Sequence, residues 1–303
     1  MPSSSRRSWK TGVLLALGTT MLWGMLPIGL KALIRYMDPY TITWYRFLSA
    51  SILLFVILAL RQHFFSIFRI TGKHAGLLAL AAFGLCGNYI LYLLGLDRTD
   101  PGTAQMVIQI SPICLLLGGV LLFKEKFSRR QWSGFGFVLS GLALFFHQRL
   151  TEIFTSLSSF TSGILFIIAA ALVWAIFGLV QKQLSQFYGS QHIMLVIYTS
   201  GAFVFFPFAT PNQVENLDGT GIILLTFCCL NTLLAYGGFA EALARMEASR
   251  VSAIIALTPL ITLGFMSLTT AFYPDLIAFE PLTALSIIGS FTLVTGSIII
   301  VSQ

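Results

Sequence analysis

The stretch NYILYLLGLDRTDPGTAQMVIQISP, residues 88–112, decides how the chain is read, because its pattern returns as AYGGFAEALARMEASRVSAIIALTP at residues 235–259. Each is an apolar helical hairpin interrupted by a short polar turn. A constant offset of 147 places Tyr89 on Tyr236, Tyr92 on Phe239, Gly102 on Ser249 and Pro112 on Pro259. An offset of 151 places Trp23 on Trp174, Lys31 on Lys182, Leu33 on Leu184 and Ser49 on Ser200. The difference of four between the offsets is one shorter loop. Repetition on this scale makes the chain two related halves, residues 1–150 and 151–303, and constrains the architecture before any single residue does.

The 303 residues are 56% hydrophobic and only 10% charged, whereas soluble domains carry about a quarter charged residues. Apolar runs of roughly 20 residues, the length that crosses a hydrocarbon core, recur along the whole chain. Ten spans are expected, near 11–33, 41–60, 75–96, 102–123, 131–147, 160–180, 191–209, 220–243, 249–272 and 281–301. The first follows Arg6, Arg7 and Lys10 as a signal peptide would, but it is too long and further spans follow it. The predicted fold class is therefore all-α and integral to the membrane.

Net charge is +7, which need not imply a polyanionic partner, because membrane proteins concentrate Lys and Arg on one side. With the amino terminus in the cytoplasm, thirteen Lys and Arg fall inside and four outside, with Arg46 within span two. That bias predicts both termini in the cytoplasm and no nucleic-acid partner. Five spans per half is odd, so the halves cross the bilayer in opposite directions as inverted repeats. Such repeats place a pseudo-twofold axis in the membrane plane and their binding sites near its midpoint. The four cysteines lie inside apolar runs, at spacings that fit neither zinc ligation nor a disulfide framework. No metal or cofactor site is predicted.

Polar and aromatic residues within the spans are the candidates for a site. Gln105, Gln109 and Pro112 follow i, i+4, i+7 spacing on one face of span four. Amides buried in hydrocarbon need partners, so this stripe either lines a cavity or bonds helices together. Span three offers Asn88 and Tyr92 on one face with Tyr89 beside them, and span eight offers Asn231, Ala235 and Gly238 on one stripe with Tyr236 and Phe239 adjacent. Trp23 and Trp174 are repeat mates near mid-membrane, away from the interfacial belts where tryptophan is usual; they are expected either as cavity walls or as core packing. Pro27, Pro112 and Pro259 interrupt helix hydrogen bonding and are expected to shape or hinge their helices. Arg46, about a turn and a half into span two, is expected to snorkel outward or to pair with a carbonyl or with Asp38. Glu241 and Glu125 are expected as helix-end ion pairs. No Asp or Glu stands at the centre of a span, which argues against exchange of a cation for a proton on a buried carboxylate.

Taken together, Leu22-Trp23-Gly24 with Lys31, Pro39 and Arg46, Asn88-Tyr89 with Tyr92, Thr99, Pro112, Lys124-Glu125-Lys126, Trp174, Pro259 and the small residues of span ten are in an order that resembles the drug/metabolite transporter superfamily, and within it the EamA-type exporters. The resemblance covers essentially the whole chain. It implies ten helices in two halves, placement in a bacterial inner membrane, and transport of a small organic solute through a central cavity near spans one, three, four, six, eight and nine. One departure is Phe272, at the repeat position of Glu125, where the family commonly has Glu; the nearest acids are Asp275 and Glu280.

The expected function is secondary transport: export of small neutral or zwitterionic metabolites such as amino acids, by alternating access. Export of drugs or other toxic organic compounds is the alternative, and a non-transporting receptor or scaffold is a third reading. An enzyme is not expected, since the chain has no HExxH, GxSxG or Gly-rich phosphate loop. The partners are a small solute and the lipid bilayer, and no oligomer is required because one chain already carries both halves.

Overall fold

The computed structural model describes residues 3–60, 74–111, 114, 128–245, 251, 254–274, 276 and 282–301, and every extended element among them is helical. The helices of eight residues or more are α1 (Ser3–Leu33), α2 (Pro39–Leu60), α3 (Ala75–Arg98), α4 (Pro101–Ile108), α5 (Arg129–Phe145), α6 (Ser159–Leu184), α7 (Ser190–Phe205), α8 (Gly219–Arg245), α9 (Thr258–Phe272) and α10 (Ala284–Val301). Six of them, α1–α3 and α6–α8, are long and apolar enough to cross a bilayer, and α9 and α10 are shorter apolar helices. Large apolar side chains such as Ile52, Phe55, Phe83, Leu172, Phe203, Ile223 and Phe291 point away from the bundle, as lipid-facing positions do.

Local sequence explains where helices begin. Asp38-Pro39 and Asp100-Pro101 repeat one device, a carboxylate that accepts the orphan N–H groups of the first turn followed by a proline that needs no donor. Asp38 Oδ1 accepts from Tyr40 N at 2.8 Å and Thr41 N at 3.0 Å, and Asp100 Oδ1 accepts from Thr103 N at 2.9 Å. Ser128 and Gln131 form a capping box on α5, and Ser158 caps α6.

The packing obeys the repeat. The closest helix pairs are α5 with α10, α3 with α6, α1 with α8 and α2 with α7. Exchanging the halves turns α1–α8 into α6–α3 and maps α2–α7 and α5–α10 onto themselves. A twofold relation does this to mates that face one another.

The tightest of these seams is built from four glycines. A Cβ on Gly141 would lie 2.5 Å from Leu293 N and 2.7 Å from Gly289 O, and one on Gly134 would lie 2.8 Å from Gly296 O. Gly134 is paired with Gly296 and Gly141 with Gly289, so the swap that carries Gly134 to Gly289 carries Gly296 to Gly141. Without side chains the two backbones approach closely, and dispersion replaces the hydrophobic effect that lipid does not supply.

The chain alternates ends as short antiparallel connections require. Lys31 at the end of α1 donates to Leu96 O and Asp97 O at the end of α3. At the same end Thr210 N donates to the Thr41 hydroxyl at 2.8 Å, and the Tyr45 hydroxyl donates to Pro211 O at 2.8 Å. His74 and Tyr188 meet at the opposite end.

Two spans depart from simple expectation. Span nine, expected as one helix over 249–272, is interrupted at Ala256 and Leu257 before α9 begins. On α4 the regular helix stops at Ile108, with Gln109 in a turn. Gln109 and Ala256 are repeat mates, so the two breaks are one feature inherited twice. Its cause is Pro259, which leaves Ile255 O without its helical donor; the Thr258 hydroxyl takes that carbonyl instead. The mate of this pair is the Ser111 hydroxyl, donating to Ile108 O at 2.6 Å next to Pro112, which itself lies outside the described residues.

Candidate functional site

The two breaks meet. Gln109 Nε2 donates to Ala256 O at 3.2 Å, a bond between repeat mates, and the rings of Tyr89 and Tyr236, also mates, stack at 6.5 Å. Mates touch only on the pseudo-twofold axis, so these contacts mark it. A cavity of about 170 Å³ lies along the axis.

Of the residues singled out from sequence, Trp23, Pro27, Asn88, Tyr89, Tyr92, Gln105, Gln109 and Trp174 line this cavity. Asn231 and Phe239 are one layer behind it. Asn231 Nδ2 donates to Leu22 O at 2.7 Å, and Phe239 packs on Trp23 at 5.5 Å. Pro259 is buried at the start of α9. The alternatives posed for the glutamines, lining or bonding, are both realised in the same side chains.

Pro27 explains why Gln105 is needed. Proline has no N–H, so the carbonyl four residues earlier, Trp23 O, loses its helical donor, and in a membrane interior that loss must be made good. Gln105 Nε2 donates to it at 3.1 Å. Flanking carbonyls of the same turn are also used: Leu22 O by Asn231, and Gly24 O by the Thr262 hydroxyl at 2.8 Å. One turn of α1 is thus tied to α4, α8 and α9 through side chains, while the Trp23 indole is left against Tyr236 at 5.4 Å.

The two halves solve one contact in opposite senses. Asn88 Nδ2 on α3 donates to Ala170 O on α6 at 3.0 Å. At the equivalent place Thr19, the mate of Ala170, donates its hydroxyl to the carbonyl of Ala235, the mate of Asn88, at 3.3 Å. The site is therefore pseudosymmetric in shape and asymmetric in chemistry.

Sequence reasoning missed three polar members of the wall: Arg46, Ser111 and Thr258. Arg46 corrects the expectation that it snorkels outward or pairs with Asp38. It is 4% exposed, its Nε donates to the Thr232 hydroxyl at 3.0 Å, and its guanidinium lies 4.3 Å from the centre of the Tyr89 ring. Asp38 is committed to the start of α2. Tyr236, adjacent to the Asn231 stripe in sequence and matched to Tyr89 by the repeat, lines the cavity as well.

Glu241 pairs with Arg245 one turn on, as expected of a helix-end ion pair; Glu125 lies outside the described residues. A second, more polar cavity of about 540 Å³ lies towards the end of the bundle, among Lys31, Arg98, Asp100 and Arg149. Among the described residues no cluster of His, Cys, Asp or Glu could hold a metal ion.

Comparison with known proteins places this geometry. The sequence matches the EamA-like transporter family twice, over residues 10–147 and 161–302. It is 42% identical over 288 residues to "Uncharacterized inner membrane transporter YhbE" of Escherichia coli K12, covering 94% of this chain and 89% of that one. An "Uncharacterized transporter" of Haemophilus influenzae is 37% identical, with 95% and 94% covered, and a "Probable amino-acid metabolite efflux pump" of Salmonella typhimurium is 23% identical, with 93% and 92% covered. A solved crystal structure superposes with a TM-score of 0.68 at 15% identity, over 96% of this chain and 97% of that chain, which shows a shared fold. Two family matches in tandem, on helices that pack by a twofold exchange of halves, mean that this chain belongs to the EamA-like transporter family and is a multi-pass membrane transporter.

Proposed function

We propose that the protein exports small neutral or zwitterionic metabolites, amino acids among them, by alternating access around the axial cavity. The observation that carries this reading is the meeting of two broken helices at a cavity on the repeat axis, where Gln109 bonds to the backbone of its own mate. Interrupted helices that meet at a repeat interface are where transporters of this architecture hold solute, because unwound backbone offers polar groups at mid-membrane depth. The wall supports the solute class. Trp23, Trp174 and Tyr92 supply flat apolar area, and Asn88, Ser111 and Thr258 supply neutral hydrogen-bonding groups. A volume of about 170 Å³ suits a small metabolite better than a drug-sized molecule, whose pockets run to about 300–1,000 Å³. The name carried by the Salmonella relative points the same way.

The test is reconstitution. Purified protein in liposomes preloaded with unlabelled amino acids should accumulate the labelled solute by counterflow, and protein-free vesicles should not. If no member of the panel gives flux or raises thermal stability, the reading fails.

Orientation is part of the proposal. A cysteine replacing Asn212, in the short helix Pro211–Asn216, should react with an impermeant maleimide in intact cells, and one replacing Arg129 should not. The reverse pattern would place the termini outside.

Coupling does not run through a buried carboxylate on this reading. Glu241 is half exposed and ion-paired on the surface, so Glu241→Gln should cost under about 0.5 kcal/mol of stability and leave the pH dependence of flux unchanged. Loss of flux driven by a pH gradient in the folded variant would refute this.

A further inference from the structure

Among the described residues the cavity holds one full charge, and nothing in the wall answers it. We propose that Arg46 is the carboxylate-binding residue of the cavity, so that the solutes held there are small monocarboxylates, zwitterions included, rather than neutral compounds. The proposal rests on the axial cavity being the solute site and goes further by naming the group that is recognised.

Arginine remains protonated in proteins, and a buried guanidinium normally meets a carboxylate. Here Nε donates to Thr232 and the face lies over Tyr89, while no Asp or Glu lines the cavity among the described residues. Asp38, just before α2 and about two turns back from Arg46, spends its carboxylate on the helix start. The remaining N–H groups of the guanidinium have no bonded acceptor among the described residues. Beside it the buried Tyr89 hydroxyl also lacks a partner. Both vacant groups can donate, so what the site lacks is an acceptor, and an anionic one is favoured by the charge.

The geometry of a guanidinium selects among anions. Its planar fork of parallel N–H groups matches the two oxygens of a carboxylate. Its repeat mate is Ile197, fully buried and apolar, so the equivalent position of the second half offers no further charge for a dianion. Thr232 holds Nε and so fixes the plane of the fork; it is itself anchored by donating to Cys228 O at 3.0 Å.

The test uses detergent-purified full-length protein and matched pairs of probes: L-leucine against L-leucinamide, L-phenylalanine against L-phenylalaninamide, and benzoate against benzamide. Thermal-shift titration should show the acids binding roughly 10–100-fold more tightly than the amides, the range of a charge-assisted hydrogen bond. Arg46→Gln should bind acids and amides alike, with an unliganded Tm at or above that of the wild type, because an unpaired buried charge has been removed. Should that variant fail to fold, Thr232→Val serves instead, weakening the acids several-fold and leaving the amides unchanged. Equal binding of acids and amides by the wild type, no binding of any acid, or an acid preference that persists in Arg46→Gln overturns the proposal. In liposomes, transport of leucine and leucinamide with the same KM would leave the transport function standing and remove this inference. Acid-selective binding without flux would do the opposite.

Discussion

Gly141→Leu is expected to leave little folded, monodisperse protein. The nearest atoms to a new side chain there are backbone, Leu293 N at 2.5 Å and Gly289 O at 2.7 Å, so no rotamer change can admit it and α5 must part from α10. Overpacking usually costs about 1–3 kcal/mol where side chains can shift. Here the obstruction is a helix axis, and a loss of about 3 kcal/mol or more is expected from a total that for most domains is only about 5–15 kcal/mol. Gly136 provides the control on the same helix: it is exposed, and a Cβ there meets nothing within 4 Å. Gly136→Ala should be neutral or stabilise by up to about 1 kcal/mol, through helix propensity alone. Size-exclusion profiles and unfolding temperatures of the two variants decide the matter. A Gly141→Leu protein as stable as Gly136→Ala would mean that the α5–α10 seam is not close-packed.

The second large effect is expected at Trp23, on function rather than folding. Its indole faces the cavity between Tyr236 and Phe239, so truncation to alanine enlarges a space that already exists. The contact area lost to a bound solute is worth about 1.5–3 kcal/mol, roughly a 10–100-fold rise in Kd or in the KM for flux. Trp23→Phe should recover most of it, since an aromatic wall remains. The backbone role is untouched by either change, because Gln105 bonds to the Trp23 carbonyl and not to its ring. Wild-type affinity and flux in Trp23→Ala, together with a cysteine at that position sealed from aqueous reagents, would return the residue to ordinary packing.

Much of the site was legible because the repeat and the bilayer both leave marks in sequence. Hydropathy over about 20 residues reports a span whatever its neighbours are, and a duplicated pattern reports which spans are equivalent. Trp23, Asn88, Tyr89, Tyr92, Gln105, Gln109 and Trp174 were found in this way, as polar or aromatic residues at depths where lipid offers them nothing. The prolines could be read as interruptions for a covalent reason, the missing N–H.

By itself, then, the sequence determined an all-helical membrane chain in two halves and a mid-membrane zone rich in amides and aromatic rings. Tertiary structure decided which face of each helix turns inward, since that depends on neighbours and not on spacing along one helix. Arg46 shows this most sharply. At its depth a long cationic side chain can reach the membrane surface or turn into the bundle with the same local sequence, and only the placement of Thr232 and Tyr89 on other helices brings it to the cavity. Asn231 and Tyr236 show it in exchange: five residues apart on α8, the amide ties α1 from behind while the phenol reaches the wall. The bond from Gln109 to Ala256 belongs to the same class, because two mates meet only where the halves cross on their axis, and the position of that axis is a property of the packed bundle.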